Sequence, residues 1–214
     1  MKQHTIQTTK TARYYTLGEL NDSTDEIVFV FHGYAQLAKE FIQNFTGIQS
    51  VNRFIIAPEG LNKFYVKGFR GNVGASWMTK EDRENEIDDY INFLNNIYSE
   101  YSSQINDNTK ITLFGFSQGC ATASRWFVNS NFNNAELILW GSFIPPDINY
   151  DKLRSKLTAK LKIVIGDEDE FISEDRIKSG EEILVRENIN YELIKYPGKH
   201  DVQPGLFNQL KLFS

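Results

Sequence analysis

Ser117, a run of acids at Asp167-Glu168-Asp169-Glu170, and His200 follow one another along this chain in that order. A serine hydroxyl is a poor nucleophile at neutral pH and needs a base to take its proton. An imidazole supplies the base. A carboxylate then fixes the imidazole tautomer and stabilises the imidazolium that forms. The serine sits in Gly115-Phe116-Ser117-Gln118-Gly119. An apolar segment, Ile111 to Phe116, runs into this motif, and a helical pattern, Cys120 to Asn129, runs out of it. That is the strand-turn-helix setting of a nucleophile elbow, where glycines permit a turn too tight for a Cβ and leave the hydroxyl exposed. The positive end of the helix dipole falls at the same point.

Of the three histidines, His4 lies in an unpatterned polar segment and reads as an exposed residue. His32 ends an apolar run and is followed by Gly33, and it reads as a packed, structural histidine. Only His200 satisfies the order serine, acid, histidine. The acid must stand between Ser117 and His200 at the end of a strand. Asp169 is the choice, three residues after Gly166 and just before the apolar Phe171 and Ile172, with Asp167 as the alternative. An oxyanion hole needs two backbone donors, each worth about 2.7–4 kcal/mol of transition-state stabilisation. The expected donors are the amides of Gln118, after the nucleophile, and of Tyr34, in the loop His32-Gly33-Tyr34. Gly33 lets that backbone approach a substrate closely. Cys120, one turn beyond Ser117, reads as a small buried thiol.

Positioning these groups requires alternating strands and helices. Strands are expected at 12–17 (with a possible partner at 3–8), 27–31, 53–57, 110–116, 135–140, 161–165 and 191–196. Helices are expected near 36–46, 80–101, 118–129, 173–188 and 204–213. In the longest of these, Ile87, Ile91, Leu94, Tyr98 and Tyr101 share one face, and Thr79 with Asp82 resembles a capping box. Such alternation gives a mostly parallel sheet covered on both faces, with the ligand site at the carboxyl ends of its strands.

The 214 residues are read as one domain, 1–214, with 41% apolar and 24% charged residues, ordinary for a globular chain. A single cysteine allows no intrachain disulfide. A net charge of −5 argues against a general nucleic-acid binder. No run approaches the ~18 apolar residues of a membrane span, and residues 1–10 lack an apolar signal segment, so a cytoplasmic protein is expected. No His-x-x-x-His pair, cysteine cluster or phosphate-binding loop occurs, so the expected chemistry uses no metal and no cofactor.

With Ser117, Asp169, His200 and the His32-Gly33 loop in this order, the chain resembles the α/β-hydrolase superfamily. Within it, the chain resembles the phospholipase/carboxylesterase family, which includes acyl-protein thioesterases. Ala75-Ser76-Trp77 before the long helix and Gly141-Ser142-Phe143-Ile144-Pro145 after a strand extend the likeness. The resemblance implies an α/β-hydrolase fold, hydrolysis of esters or thioesters through an acyl-serine, and a small acyl substrate as partner. Cys120 departs from it, where many members carry another glycine, and so does the composition of loop 61–80. The short interval from Gly141 to Lys160 leaves no room for a large cap domain.

Residues 61–80 carry Lys63, Lys67, Arg70 and Lys80 and no acid, interleaved with Phe64, Tyr65, Phe69 and Trp77. The loop is read as one wall of the substrate pocket that favours neutral-to-anionic esters, or else as a solvated basic loop. Phe69, Trp77, Phe143 and Ile144 are the expected substrate contacts, and neutralising Lys67 and Arg70 is expected to weaken binding of anionic esters. Two rival functions share the fold: a peptidase or amidase on the same three residues, and a non-catalytic binding protein.

Overall fold

The strands fall where the apolar runs put them. They are β1 (Tyr14–Leu17), β2 (Glu26–Phe31), β3 (Arg53–Pro58), β4 (Asn62–Tyr65), β5 (Val73–Ser76), β6 (Lys110–Phe116), β7 (Ala135–Trp140), β8 (Leu161–Gly166) and β9 (Tyr191–Tyr196). The helices are α1 (Ala38–Phe41), α2 (Arg83–Tyr101), α3 (Gln118–Asn129), α4 (Tyr150–Lys156) and α5 (Glu174–Arg186). The structure is a computed structural model and describes residues 1–106 and 108–213.

Seven strands form one sheet in the order β1-β3-β2-β6-β7-β8-β9. All neighbours are parallel except β1, which runs antiparallel to β3. Side chains alternate across β2 into two cores. Ile27, Phe29 and Phe31 pack with Tyr90, Leu94, Trp126, Leu153 and Leu184, from the helices of one face. Val28 and Val30 pack with Phe41, Phe45, Phe207 and Leu212 on the other. Helices on both faces of a mostly parallel sheet make this a layered α/β fold, as the alternation of elements predicts. Between β7 and β8, residues 141–160 contain only α4.

Several local expectations fail for physical reasons. Residues 36–46 form one α-helical turn, continued as a 3₁₀ helix over Ile42–Ile48. There the Asn44 amide and Thr46 hydroxyl side chains bond the carbonyls of Phe41 and Gln43, competing with the helical ladder. Residues 204–213 hold only the 3₁₀ turn Pro204–Leu206, and burial of Phe207 and Leu212 fixes that tail instead. Residues 3–8 form no strand and are exposed. Thr79 and Asp82 make no capping box: Asp82 caps α2 in a left-handed conformation (φ 52°), and its side chain accepts from Asn85 Nδ2 at 2.7 Å and not from a helix amide. On α2 the fully buried face is Ile87, Tyr90, Leu94 and Ile97, with Ile91, Tyr98 and Tyr101 packed at its margin. Loop 61–80 contains the antiparallel hairpin β4–β5, which the sequence reading treats as irregular.

Candidate active site

β6 delivers Ser117 and α3 begins at the next residue. Ser117 has φ 52° and ψ −115°, a conformation that costs a non-glycine residue on the order of 1–3 kcal/mol. Close packing imposes it. A Cβ on Gly115 would lie 2.6 Å from Cys120 Cα, and one on Gly119 would collide with the carbonyl of Phe31. The chain can therefore turn from sheet to helix only with glycine on both sides of the serine. The Ser117 hydroxyl is left in a cleft of about 580 Å³, bordered among others by Tyr34, Phe116, Gln118, Ile172 and His200.

Ser117 Oγ lies 2.9 Å from His200 Nε2, and His200 Nδ1 lies 2.6 Å from Asp169 Oδ2. A carboxylate at Nδ1 requires the proton there, so Nε2 is free to accept from the hydroxyl. Asp169 Oδ1 accepts the amides of Phe171 and Ile172 at 2.8 and 3.1 Å. Asp167 instead accepts the Gly198 amide at 3.0 Å, tying the β8 loop to the β9 loop. Geometry thus separates the two acids: Asp169 faces the imidazole and Asp167 braces the backbone that carries it. The imidazole packs against the rings of Phe116 and Phe171, with centroids 5.0 and 4.8 Å away. Below it, the Tyr196 hydroxyl and Trp140 Nε1 bond the carbonyl of Asp201 at 2.7 and 2.8 Å, fixing the loop that bears His200.

The two expected oxyanion donors border the same cleft as Ser117. Gln118 opens α3, where amides precede the first intrahelical bond. In the turn after β2 the other amides are committed: Gly33 to Gln36 Oε1 at 2.7 Å, Ala35 to Ala75 O at 2.9 Å and Gln36 to Gly33 O at 3.3 Å. The Tyr34 amide is the donor left over among these residues. The Gln118 side chain has a separate task. Its Oε1 accepts the Trp77 amide at 3.1 Å and its Nε2 donates to Met78 O at 2.8 Å, joining the elbow to the segment after β5.

His32 is structural. The Gly60 amide donates to Nε2 at 3.0 Å, so Nδ1 carries the proton and donates to Gly33 O at 2.7 Å. Burial lowers its pKa to about 4 and keeps it neutral. Cys120 is buried and burial pushes its thiol pKa up, so it supplies no thiolate.

Trp77 does not reach the cleft. It is 1% exposed, stacks on His32 at 5.0 Å and donates from Nε1 to His32 O at 2.9 Å. Phe69 is 95% exposed and does not border the cleft. Neither do Lys67 and Arg70, which lie between the strands of the β4–β5 hairpin. The hairpin reaches the site indirectly, through Phe64 stacked on Tyr34 at 5.1 Å. Phe143 and Ile144 line a groove of about 400 Å³ that shares Ala121, Ser142, Ile172 and Arg176 with the cleft. Sequence reasoning missed Phe116, Phe171 and the Gln118 side chain, although each is, or adjoins, a residue it singled out. It also missed Arg176, which no pattern marks. No group of side chains among the described residues forms a metal site, and no helix among them is long and apolar enough to cross a membrane.

The family profile described as phospholipase/carboxylesterase matches residues 19–213. No curated protein matches the sequence. Solved structures share its fold. Esterase PE8 aligns with a TM-score of 0.68 at 19% identity, covering 95% of this chain and 98% of its own. Acyl-protein thioesterase 2 from Zea mays aligns with a TM-score of 0.67 at 16% identity, over 94% and 96% of the two chains. A phospholipase/carboxylesterase from Dyadobacter fermentans aligns with a TM-score of 0.63 at 19% identity, over 97% and 99%.

Proposed function

The chain belongs to the phospholipase/carboxylesterase family, and from that membership we propose that it is a single-domain serine hydrolase of carboxylic esters or thioesters. The reading is carried by one observation: the line Ser117 Oγ, His200, Asp169, with 2.9 and 2.6 Å between its polar atoms.

In the proposed mechanism His200 Nε2 takes the Ser117 proton as Oγ attacks the acyl carbonyl. The oxyanion sits between the amides of Tyr34 and Gln118. His200 then passes the proton to the leaving alcohol or thiol, and an acyl-serine remains. A water, deprotonated by the same nitrogen, attacks that ester and returns Ser117 and a carboxylic acid. Asp169 accepts the hydrogen bond from Nδ1–H throughout and stabilises the imidazolium in both halves. The two amides that donate to Asp169 Oδ1 support its role by holding the carboxylate oriented. The apolar groove beside the cleft, with Phe143 and Ile144 in its wall, is the proposed acyl site.

Hydrolysis of 4-nitrophenyl butyrate by wild type and by Ser117→Ala tests this reading. The variant should lose about a million-fold in kcat, as loss of a serine nucleophile can cost. A fluorophosphonate should label wild type at Ser117 and leave the variant unlabelled. Equal turnover by both proteins would remove Ser117 from the mechanism. No turnover and no labelling of wild type would favour a binding protein of the same fold.

A further inference from the structure

Charge selectivity at this site was expected from Lys67 and Arg70, and neither borders the cleft. One cation does. Arg176, in the first turn of α5, lines both the cleft that holds Ser117 and the groove that holds Phe143 and Ile144. Its Nη1 donates to Phe171 O at 2.7 Å. Phe171 packs on the His200 ring and its amide is bonded by Asp169, so the guanidinium is fastened to the segment that orients the base. Among the described residues, the Arg176 guanidinium makes no ion pair and no other hydrogen bond; the backbone amide separately donates to Ser173 Oγ at 3.4 Å. A guanidinium carries five N–H donors in a planar fork matched to a carboxylate, and most of these remain to be used. Asp175, its neighbour on the helix, borders the groove but not the cleft. Asp169 borders neither, because it is buried behind His200. Besides His200, the cleft side therefore presents one ionisable group from a charged residue, and it is cationic.

We infer that Arg176 selects substrates whose acyl chain ends in a carboxylate, which it binds where the cleft opens into the apolar groove. This rests on the proposed hydrolase reading and names its substrate class: half-esters or half-thioesters of dicarboxylic acids. The methylene spacer lies along Ile172 and Ala121, and the terminal carboxylate accepts from the free N–H groups of Arg176. Arg176 takes no part in the proton transfers.

The test compares 4-nitrophenyl hydrogen adipate with its neutral methyl ester, methyl 4-nitrophenyl adipate. The readout is the ratio of their kcat/KM values in wild type, Arg176→Gln and Arg176→Lys. Wild type should favour the anionic ester. Arg176→Gln should reduce the ratio on the order of tenfold, mainly through KM, as expected of one charge-assisted contact. Arg176→Lys should retain more of the ratio than Gln does, and raising salt to about 0.5 M should reduce it in wild type. A purely structural Arg176, acting through Phe171, would change both esters alike and leave the ratio fixed; that result overturns the inference. So does selectivity that appears only when the carboxylate is moved to the alcohol side, as in 3-(butyryloxy)benzoate. The same preference, read by calorimetry as binding to Ser117→Ala protein with and without Arg176→Gln, requires no turnover. A failure of hydrolysis is thereby distinguished from a failure of charge recognition.

Discussion

Asp169 reaches His200 with one carboxylate oxygen, at 2.6 Å, while two backbone amides occupy the other. The carboxylate is thus clamped before the imidazole meets it, and it can neither rotate away nor turn to solvent. Its neighbour two residues earlier, Asp167, is spent on the Gly198 amide.

That division predicts opposite outcomes for two similar substitutions. Asp169→Asn should lower kcat by about ten-thousand-fold, because an amide can donate to Nδ1 and favour the wrong tautomer. Asp167→Asn keeps an oxygen for the Gly198 amide and should change kcat by no more than about threefold. Steady-state kinetics on 4-nitrophenyl butyrate would decide. Comparable losses in the two variants would show that the acid is not assigned to Asp169 alone.

The sequence carried the sheet and the chemistry on it further than it carried the walls of the site. β2, β6 and β8 are buried strands whose continuous apolar runs admit few other readings, and Ser117 and Asp169 are tied to the ends of such runs. Trp77 misled because an aromatic in a basic loop looks like a ligand contact. Here it is the lid on His32, and no local pattern distinguishes the two. Arg176 was invisible for the converse reason. Its place beside Ser117 depends on how α5 packs across the sheet, a long-range relation with no periodicity of its own. The 36–46 and 204–213 segments failed where side-chain bonding and aromatic packing overrode a weak helical pattern.

Gln118 offers a second prediction, because its backbone and side chain serve different ends. Gln118→Ala leaves the Trp77 amide without its acceptor and frees the segment after β5. An unsatisfied buried donor costs about 1–3 kcal/mol, which urea unfolding would read. The backbone amide survives the substitution but loses its brace, so kcat should fall roughly tenfold with little change in KM. Gln118→Glu restores the acceptor for Trp77 yet sets a carboxylate against Met78 O, and should recover only part of the loss. Full activity in Gln118→Ala would show that the elbow holds its geometry without this bridge.

The groove wall makes a third prediction. Gly180 on α5 faces the Phe143 ring, and a Cβ there would lie 2.5 Å from Phe143 Cδ1. Gly180→Ala gains helix propensity, up to about 1 kcal/mol, so stability should change little. The ring, however, must move, and Phe143 and Gly180 both line the groove. The KM for 4-nitrophenyl octanoate should rise on the order of fivefold relative to that for the acetate, whose acyl group has no methylene chain to lay in the groove. An unchanged octanoate-to-acetate ratio would exclude this groove as the acyl site.

His32 predicts how stability depends on pH. Burial lowers its pKa from 6.5 to about 4, so between those values the unfolded chain binds a proton that the folded chain refuses. The stabilising contribution is therefore complete above pH 6.5 and is lost as pH falls towards 4. Across that window it amounts to about 3 kcal/mol. Asp147 titrates elsewhere. Burial opposes its ionisation, but hydrogen bonds from Arg125 and Arg83 outweigh this and hold its pKa at about 2, so its contribution is lost only as pH falls from about 4. Urea unfolding at pH 7, 6, 5 and 4 should show wild type losing stability down to pH 4. His32→Gln should be less stable at pH 7 but follow a flatter course. Parallel curves for the two proteins would mean that the acid sensitivity arises from other groups and that His32 is protonated in the fold at little cost.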